Sequence, residues 1–146
     1  MSIQAKQEEI IEEFSMFDDW MDKYNYLIEM GNSLEPLDEQ YKNEKYLISG
    51  CQSQVWLYAW MEDGKLMIRG DSDAVITKGI VSLLLRVYSG EPPAEVYEDD
   101  HSFIDQIGLQ EHLSPTRSNG LMSMLKQIKL YALAFKTKQE QKDKNE

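Results

Sequence analysis

This sequence contains one cysteine, four prolines and no long apolar run. A lone cysteine, Cys51, cannot form an internal disulfide, so a reducing, cytoplasmic setting is expected. No apolar stretch approaches the roughly 20 residues that cross a bilayer as a helix. The N-terminal segment also lacks the apolar core of a secretory signal. We therefore expect a protein without disulfides, membrane spans or an export signal.

Basic residues are scarce relative to acidic ones. The chain has 15 Lys and Arg against 26 Asp and Glu, which gives a net charge of −11. Nucleic acid and anionic membranes would repel such a surface, so neither is expected as a partner. A length of 146 residues suits one domain with its own core. We place this domain at residues 1–136 and predict a charged, disordered tail at 137–146, which has no apolar residue to anchor it.

A β-hairpin is the clearest local prediction. Asp63-Gly64 is a strong two-residue turn signal between alternating runs at about 54–61 and 65–71. With that loop, one face is aliphatic and the other is aromatic and charged. The predicted pairs are Met61 with Leu66, Ala59 with Ile68 and Leu57 with Gly70 on the first face, and Glu62 with Lys65, Trp60 with Met67 and Tyr58 with Arg69 on the second. A slip of one residue would scramble this separation. A short third strand is predicted at 46–48, because two strands alone are marginally stable.

Helical spacing accounts for most of the remaining chain, so the fold class is α+β with a small antiparallel sheet packed against several helices. The last helix opens with Ser114 as N-cap and Pro115 at its first position. Gly79 falls inside a predicted helix, where a close approach by a neighbouring backbone would explain it. The other helices are predicted at about 2–15, from Asp19 to Gly31, from a cap at 71–73 to about Ser89, and at 102–107.

Cys51 is the first candidate for chemistry. It lies where a polar connection gives way to a strand, and reactive groups are often placed on loops that lead into rigid elements. Free cysteine is also among the most often buried residue types, so a small core side chain is the competing interpretation. Both interpretations follow from the residues alone.

Three ordered blocks of sequence resemble the SufE family, the sulfur acceptors that work with cysteine desulfurases in iron–sulfur cluster assembly. The similarity covers nearly the whole chain apart from its two ends. The blocks are Gly50-Cys51-Gln52-Ser53-Gln54-Val55-Trp56; Asp71-Ser72-Asp73-Ala74 followed by Lys78-Gly79; and Leu113-Ser114-Pro115-Thr116-Arg117-Ser118 followed by Gly120-Leu121.

The resemblance implies that Cys51 accepts sulfane sulfur from a SufS/CsdA-type cysteine desulfurase and holds it as a persulfide. It further implies that the protein stimulates the desulfurase and passes the sulfur to a cluster scaffold protein. The pyridoxal phosphate would belong to the desulfurase, so this chain needs no cofactor or metal and is an accessory protein rather than a stand-alone enzyme. A homodimer remains open.

Four further residues of the blocks are candidates. Gly50 and Gln52 are expected to shape the cysteine loop. Asp73 is expected to start a helix, with a partner contact as a second role. Arg117 has two open interpretations: its guanidinium contacts the persulfide or a partner, or it forms a salt bridge within the protein.

Two other functional classes stay open. A stand-alone thiol enzyme of the peroxidase type would need an external thiol, because the chain has no second cysteine to resolve a sulfenate. A regulatory adaptor would bind a desulfurase without carrying sulfur. His101 and His112 are candidate general bases, although a solvated or locally bonded histidine is the simpler interpretation of His101.

Overall fold

The structure, a computed structural model, describes residues 1–144 and has the α+β architecture that the sequence predicts. A two-stranded antiparallel sheet packs with six α-helices, and short 3-10 turns lie at Glu39–Tyr41 and Gln110–His112. In chain order the elements are α1 (Ile3–Ser15), α2 (Trp20–Asn32), β1 (Val55–Glu62), β2 (Lys65–Ser72), α3 (Val75–Tyr88), α4 (Pro93–Glu98), α5 (Ser102–Gln106) and α6 (Pro115–Lys144).

The hairpin register is confirmed at every predicted pair. Met61 lies opposite Leu66, and the strands extend one residue further than predicted at their C-terminal ends. The prediction of a third strand at 46–48 is wrong. In this segment only Leu47 forms a β-bridge to β1, opposite Trp56. The chain turns away immediately afterwards through Gly50, whose φ of 88° ends any extended pairing. The hairpin is stabilised instead by its aliphatic face, which packs on the helices.

Helices α2 and α3 cross at two glycines. A Cβ on Gly79 would lie 2.3 Å from the carbonyl oxygen of Leu27, and one on Gly31 would lie 2.9 Å from the backbone nitrogen of Gly79. The close backbone approach predicted from Gly79 is therefore confirmed. Gly31 does not stop α2 as predicted, because it lies inside this contact and the helix continues to Asn32. The Asp19 carboxylate caps the other end and accepts from Asp22 N, as predicted.

Helix α3 has no side-chain cap. Ala74 is its N-cap residue, and the prediction that 71–73 caps the helix is wrong. The Asp73 carboxylate instead accepts a hydrogen bond from the backbone nitrogen of Gln54, at 3.0 Å. Asp73 of the second matching block therefore fixes the segment that leads into β1 and does not cap α3.

Helix α6 is longer than the sequence predicts. It continues to Lys144, so residues 137–144 are exposed helix where a disordered tail was predicted; Asn145 and Glu146 lie outside the described residues. The segment is rich in Lys, Gln and Glu, which favour helix, and Lys136 pairs with Glu140 one turn later at 3.3 Å. The end of the domain at residue 136 remains a prediction.

Candidate functional site

Cys51 lies at the middle of a five-residue loop, residues 49–53, whose two ends are fixed. At the first end, Ile48 N donates to the carbonyl of the first residue of β1, at 2.8 Å. At the second end, both backbone groups of Gln54 are bonded. Its nitrogen donates to the Asp73 carboxylate, and its carbonyl accepts from Ser72 Oγ at 2.8 Å. The loop is therefore a short tether between rigid anchors.

The tip of this loop packs on α6 through two glycines. Gly50 adopts a left-handed conformation, and a Cβ there would lie 2.6 Å from Ser123 Oγ. On the helix, a Cβ at Gly120 would lie 3.4 Å from Cys51 Sγ, which is tight contact. Larger side chains at either position would push the loop away from the helix. Gly50 is therefore the residue at which the loop turns closely against α6.

The Cys51 thiol is half-buried and protonated at rest. It donates a weak hydrogen bond to the carbonyl oxygen of Gly120, with a sulfur–oxygen distance of 3.7 Å. Burial raises the pKa of Cys51 above its ordinary value, because a thiolate loses more hydration than a thiol when it is buried. The resting sulfur is consequently a poor nucleophile.

A cleft of about 290 Å³ opens beside the sulfur. It is lined by Cys51, Gln52, Ser53, Thr77, Ser114, Thr116, Arg117, Gly120 and Met124. Four of these side chains carry hydroxyl groups, and Arg117 supplies the only formal charge among the described lining residues. The cleft is thus suited to a small, polar, anionic group next to the thiol.

Arg117 enters the cleft from the first turn of α6. Its backbone nitrogen donates to Ser114 Oγ at 3.3 Å, which confirms the predicted cap. The side chain is exposed and forms no ion pair with any carboxylate of residues 1–144. Within the described chain, the salt-bridge interpretation of Arg117 therefore has no partner.

Of the other predicted residues, Gln52 is exposed and lines the cleft, whereas Asp73 lies behind the loop as its anchor. Thr77 and Thr116 line the same cleft and were not among the predicted site residues. Both fall inside or between the matching blocks, which was the available signal. Ser53 also faces the cleft, but no histidine lies there to form a triad.

Neither histidine belongs to this site. His101 Nδ1 contacts the buried Tyr88 hydroxyl at 2.7 Å, and His112 stacks on Trp20 with its Nδ1 bonded to a loop carbonyl. Burial lowers the pKa of His101, and Lys129 adds to the effect. Both rings are structural, as expected for a locally bonded His101.

Two classes of feature are not found among residues 1–144. No helix there combines the length and the apolar character that spanning a bilayer requires. No three His, Cys, Asp or Glu side chains in the same part of the chain are grouped to hold a metal ion.

A matching family model and two similar proteins carry the same family name. The family model described as SufE, Fe–S metabolism associated domain, matches residues 8–132. An uncharacterised SufE-like protein of Rhizobium etli is 42% identical over 130 residues, which cover 86% of this chain and 88% of the relative. A second such protein, from Synechocystis sp., is 40% identical over 126 residues, covering 86% and 79%.

The fold also recurs in a solved structure. A hypothetical protein from Thermus thermophilus, determined in solution, superposes with a TM-score of 0.76 over 90% of this chain and 96% of its own. The sequence identity is 24%, so this likeness speaks for the fold alone.

Proposed function

The chain belongs to the SufE family, whose domain is associated with Fe–S metabolism, and from this premise we propose that it transfers sulfur through Cys51. In this proposal Cys51 accepts sulfane sulfur from the persulfide of a SufS/CsdA-type cysteine desulfurase. The persulfide then passes its outer sulfur to a cluster scaffold protein. The observation that carries the proposal is a single half-buried thiol at the edge of a polar cleft that holds an unpaired arginine among the described residues.

The transfer step is a thiol exchange without net oxidation. The Cys51 thiol first gives up its proton, and the thiolate attacks the outer sulfur of the donor persulfide. The new sulfur–sulfur bond forms as the bond within the donor persulfide breaks, and the donor cysteine leaves as a thiolate. Repeating the exchange with an acceptor thiol releases the sulfur and regenerates Cys51.

The shielded thiol supports a mechanism in which Cys51 is unreactive in the free protein and becomes reactive when the desulfurase docks. Burial and the contact with Gly120 keep the free protein unreactive and guard Cys51 from oxidants. Docking of the desulfurase turns the loop toward the partner and exposes the sulfur to the donor persulfide. Stimulation of the desulfurase follows, because its persulfide is cleared and its active site is free for the next cysteine.

The cleft residues divide into two roles. Arg117 contacts the anionic persulfide or the partner, since a guanidinium presents several donors to a diffuse negative charge. Gly50 and Gln52 set the path of the loop, and Asp73 anchors its base. The chain itself uses no cofactor, the pyridoxal phosphate is that of the desulfurase, and the setting is the reducing cytoplasm.

Mass spectrometry tests the proposal directly. The protein is incubated with a SufS-type desulfurase and cysteine, then digested without reductant. We expect the peptide that contains Cys51 to gain one sulfur atom, and desulfurase turnover to rise. The Cys51→Ser variant should do neither, while it still binds the desulfurase.

Other outcomes separate the competing functions. Stimulation of the desulfurase by Cys51→Ser, with no sulfur gained by the native protein, would make the chain a regulatory adaptor. Reduction of peroxide at the expense of an added thiol, dependent on Cys51, would make it a thiol peroxidase. Either result overturns the carrier.

A further inference from the structure

A second surface lies on α6, away from the cleft. It is formed by the exposed side chains of Met122, Lys126, Leu130 and Leu133 together with the partly buried Lys129, and we call it the Lys126 face. Met122 is 47% exposed, Leu130 49% and Leu133 38%, and Tyr97 from α4 borders them at 37%. Four of the large exposed hydrophobic side chains of the described residues therefore surround one shallow groove.

The charge of this face is opposite to that of the molecule. The described residues that line it include Lys126 and Lys129 and no carboxylate, although the chain has a net charge of −11. Neither lysine forms an ion pair with another residue of 1–144. Two cations beside solvent-exposed leucines form an amphipathic surface that has no partner among residues 1–144.

We propose that the Lys126 face is a docking site for an acidic amphipathic helix of another protein. The apolar residues run from Met122 to Leu133, which spans about 16 Å, or three helical turns. A helix laid along α6 and α4 would place its apolar side on Leu130 and Leu133. Glu or Asp side chains at its margins would pair with Lys126 and Lys129.

A second copy of this chain fits the face less well. Around a two-fold axis at the middle of the strip, Lys126 of one copy would oppose Lys129 of the other. Both copies would also carry the same net charge of −11. An anionic membrane is disfavoured for the same reason, because two lysines contribute about 1 kcal/mol each against the repulsion of the whole molecule.

The Lys126 face lies apart from the cleft that contains Cys51. Gly50 lies in a groove with Ser123, Lys126 and Leu130, whereas Cys51, the next residue, lies in the cleft with Arg117. The two depressions therefore lie on different sides of the same loop. A helix on the Lys126 face would lie on the Gly50 side of the loop and would leave the cleft beside the Cys51 sulfur uncovered.

The test uses two synthetic helical peptides of about four turns. One carries leucines along one side and glutamates on both flanks, and the other has lysine at every glutamate position. Backbone amide shifts of the full protein are followed during each titration. We expect saturable shifts in residues 122–133 and at Tyr97 with the glutamate peptide, and none with the lysine peptide.

Matched variants locate the binding. The double variant K126E/K129E should weaken binding of the glutamate peptide by about tenfold or more. The double variant K142E/K144E changes the net charge equally at the end of α6 and should leave binding unchanged. Leu130→Ser should weaken binding, whereas Met21→Ser, at an exposed methionine of α2, should not.

Several results would overturn the proposal. These are absence of saturable shifts with the glutamate peptide, equal binding of both peptides, shifts centred outside α6 and α4, self-association through the face in sedimentation, or binding of the protein to anionic phosphatidylserine vesicles. The Cys51→Ser variant should bind the peptide like the native protein. Failure of sulfur transfer and failure of docking are thus measured separately.

Discussion

Burial, rather than a neighbouring negative charge, keeps the Cys51 thiol protonated. Burial raises the pKa of its thiol, and the thiol proton is directed at the carbonyl oxygen of Gly120. Arg117, the one cation among the described residues that line the cleft, is exposed to solvent and does not reverse this effect. Activation in the proposed transfer must therefore come from a change in the surroundings of Cys51, which docking of the desulfurase would supply.

The pH dependence of alkylation measures this shielding. We expect the rate of Cys51 alkylation by iodoacetamide to rise with a midpoint above the ordinary cysteine pKa of about 8.5, because only the thiolate reacts. In urea, where burial is lost, the midpoint should fall back to that ordinary value. Fast alkylation of the folded protein at neutral pH would contradict the shielding of the half-buried thiol.

Arg117→Ala should separate function from stability. The side chain is exposed and has no ion-pair partner within residues 1–144, so the urea midpoint should not move. Sulfur gained by Cys51 from the desulfurase should fall about tenfold or more, as for loss of one charged contact of about 1.4 kcal/mol. Equal losses of stability and sulfur acceptance would instead favour a structural role.

Arg86→Ala is the matched control for Arg117. Arg86 joins α3 to α1 by pairing with Glu9 and Glu13 and is remote from the cleft. Because the group is partly exposed, its loss should lower the free energy of unfolding by about 1 kcal/mol. Sulfur acceptance should be retained.

Among the elements, the hairpin was the most predictable. The turn signal Asp63-Gly64 and the alternation on both sides fix the register before any tertiary contact is known, and every predicted pair was found. The start of α3 was not predictable in the same way. Asp73 is a good N-cap residue by type, but its carboxylate bonds to Gln54, which only the packing of the loop reveals.

Gly79→Ala tests the crossing of α2 and α3. The added Cβ would lie 2.3 Å from the carbonyl oxygen of Leu27, which cannot rotate away as a side chain could. We expect the free energy of unfolding to fall by at least about 2 kcal/mol in urea titrations, although alanine favours helix by up to about 1 kcal/mol.

Gly90→Ala provides the comparison for Gly79. A Cβ at Gly90 meets no atom within 4 Å, but its φ of 85° makes any side chain strained. The expected loss is about 1 kcal/mol, from the left-handed backbone alone. A loss at Gly79 no larger than at Gly90 would show that the two helices can move apart freely.

At the scale of the whole molecule, the composition and the family blocks predicted most of the fold, but they did not predict which residues meet in the candidate site. Cys51 and Arg117 are far apart in the chain, and only the packing of the loop on α6 places them in one cleft. The matching blocks marked both residues without showing that they meet. Charge patterning likewise did not reveal the Lys126 face, because its residues alternate with buried ones along a single helix.

Truncation tests the predicted end of the domain at residue 136. Residues 137–144 are exposed helix, so removing 137–146 should leave the urea midpoint and sulfur acceptance unchanged. Removing everything from residue 132 onward also deletes the buried Ala132 and should lower stability clearly. A large loss from the shorter deletion would show that the end of α6 belongs to the domain.

The two fixed ends of the cysteine loop set a limit on how far the sulfur can travel. Cys51 is three residues from the anchor at Ile48 and three from the anchor at Gln54. A fully stretched chain covers about 3.5 Å per residue, so its Cα can move no more than about 10 Å from either point. In the proposed transfer, the donor persulfide must therefore reach to within this radius, which favours a desulfurase whose reactive cysteine projects from its surface.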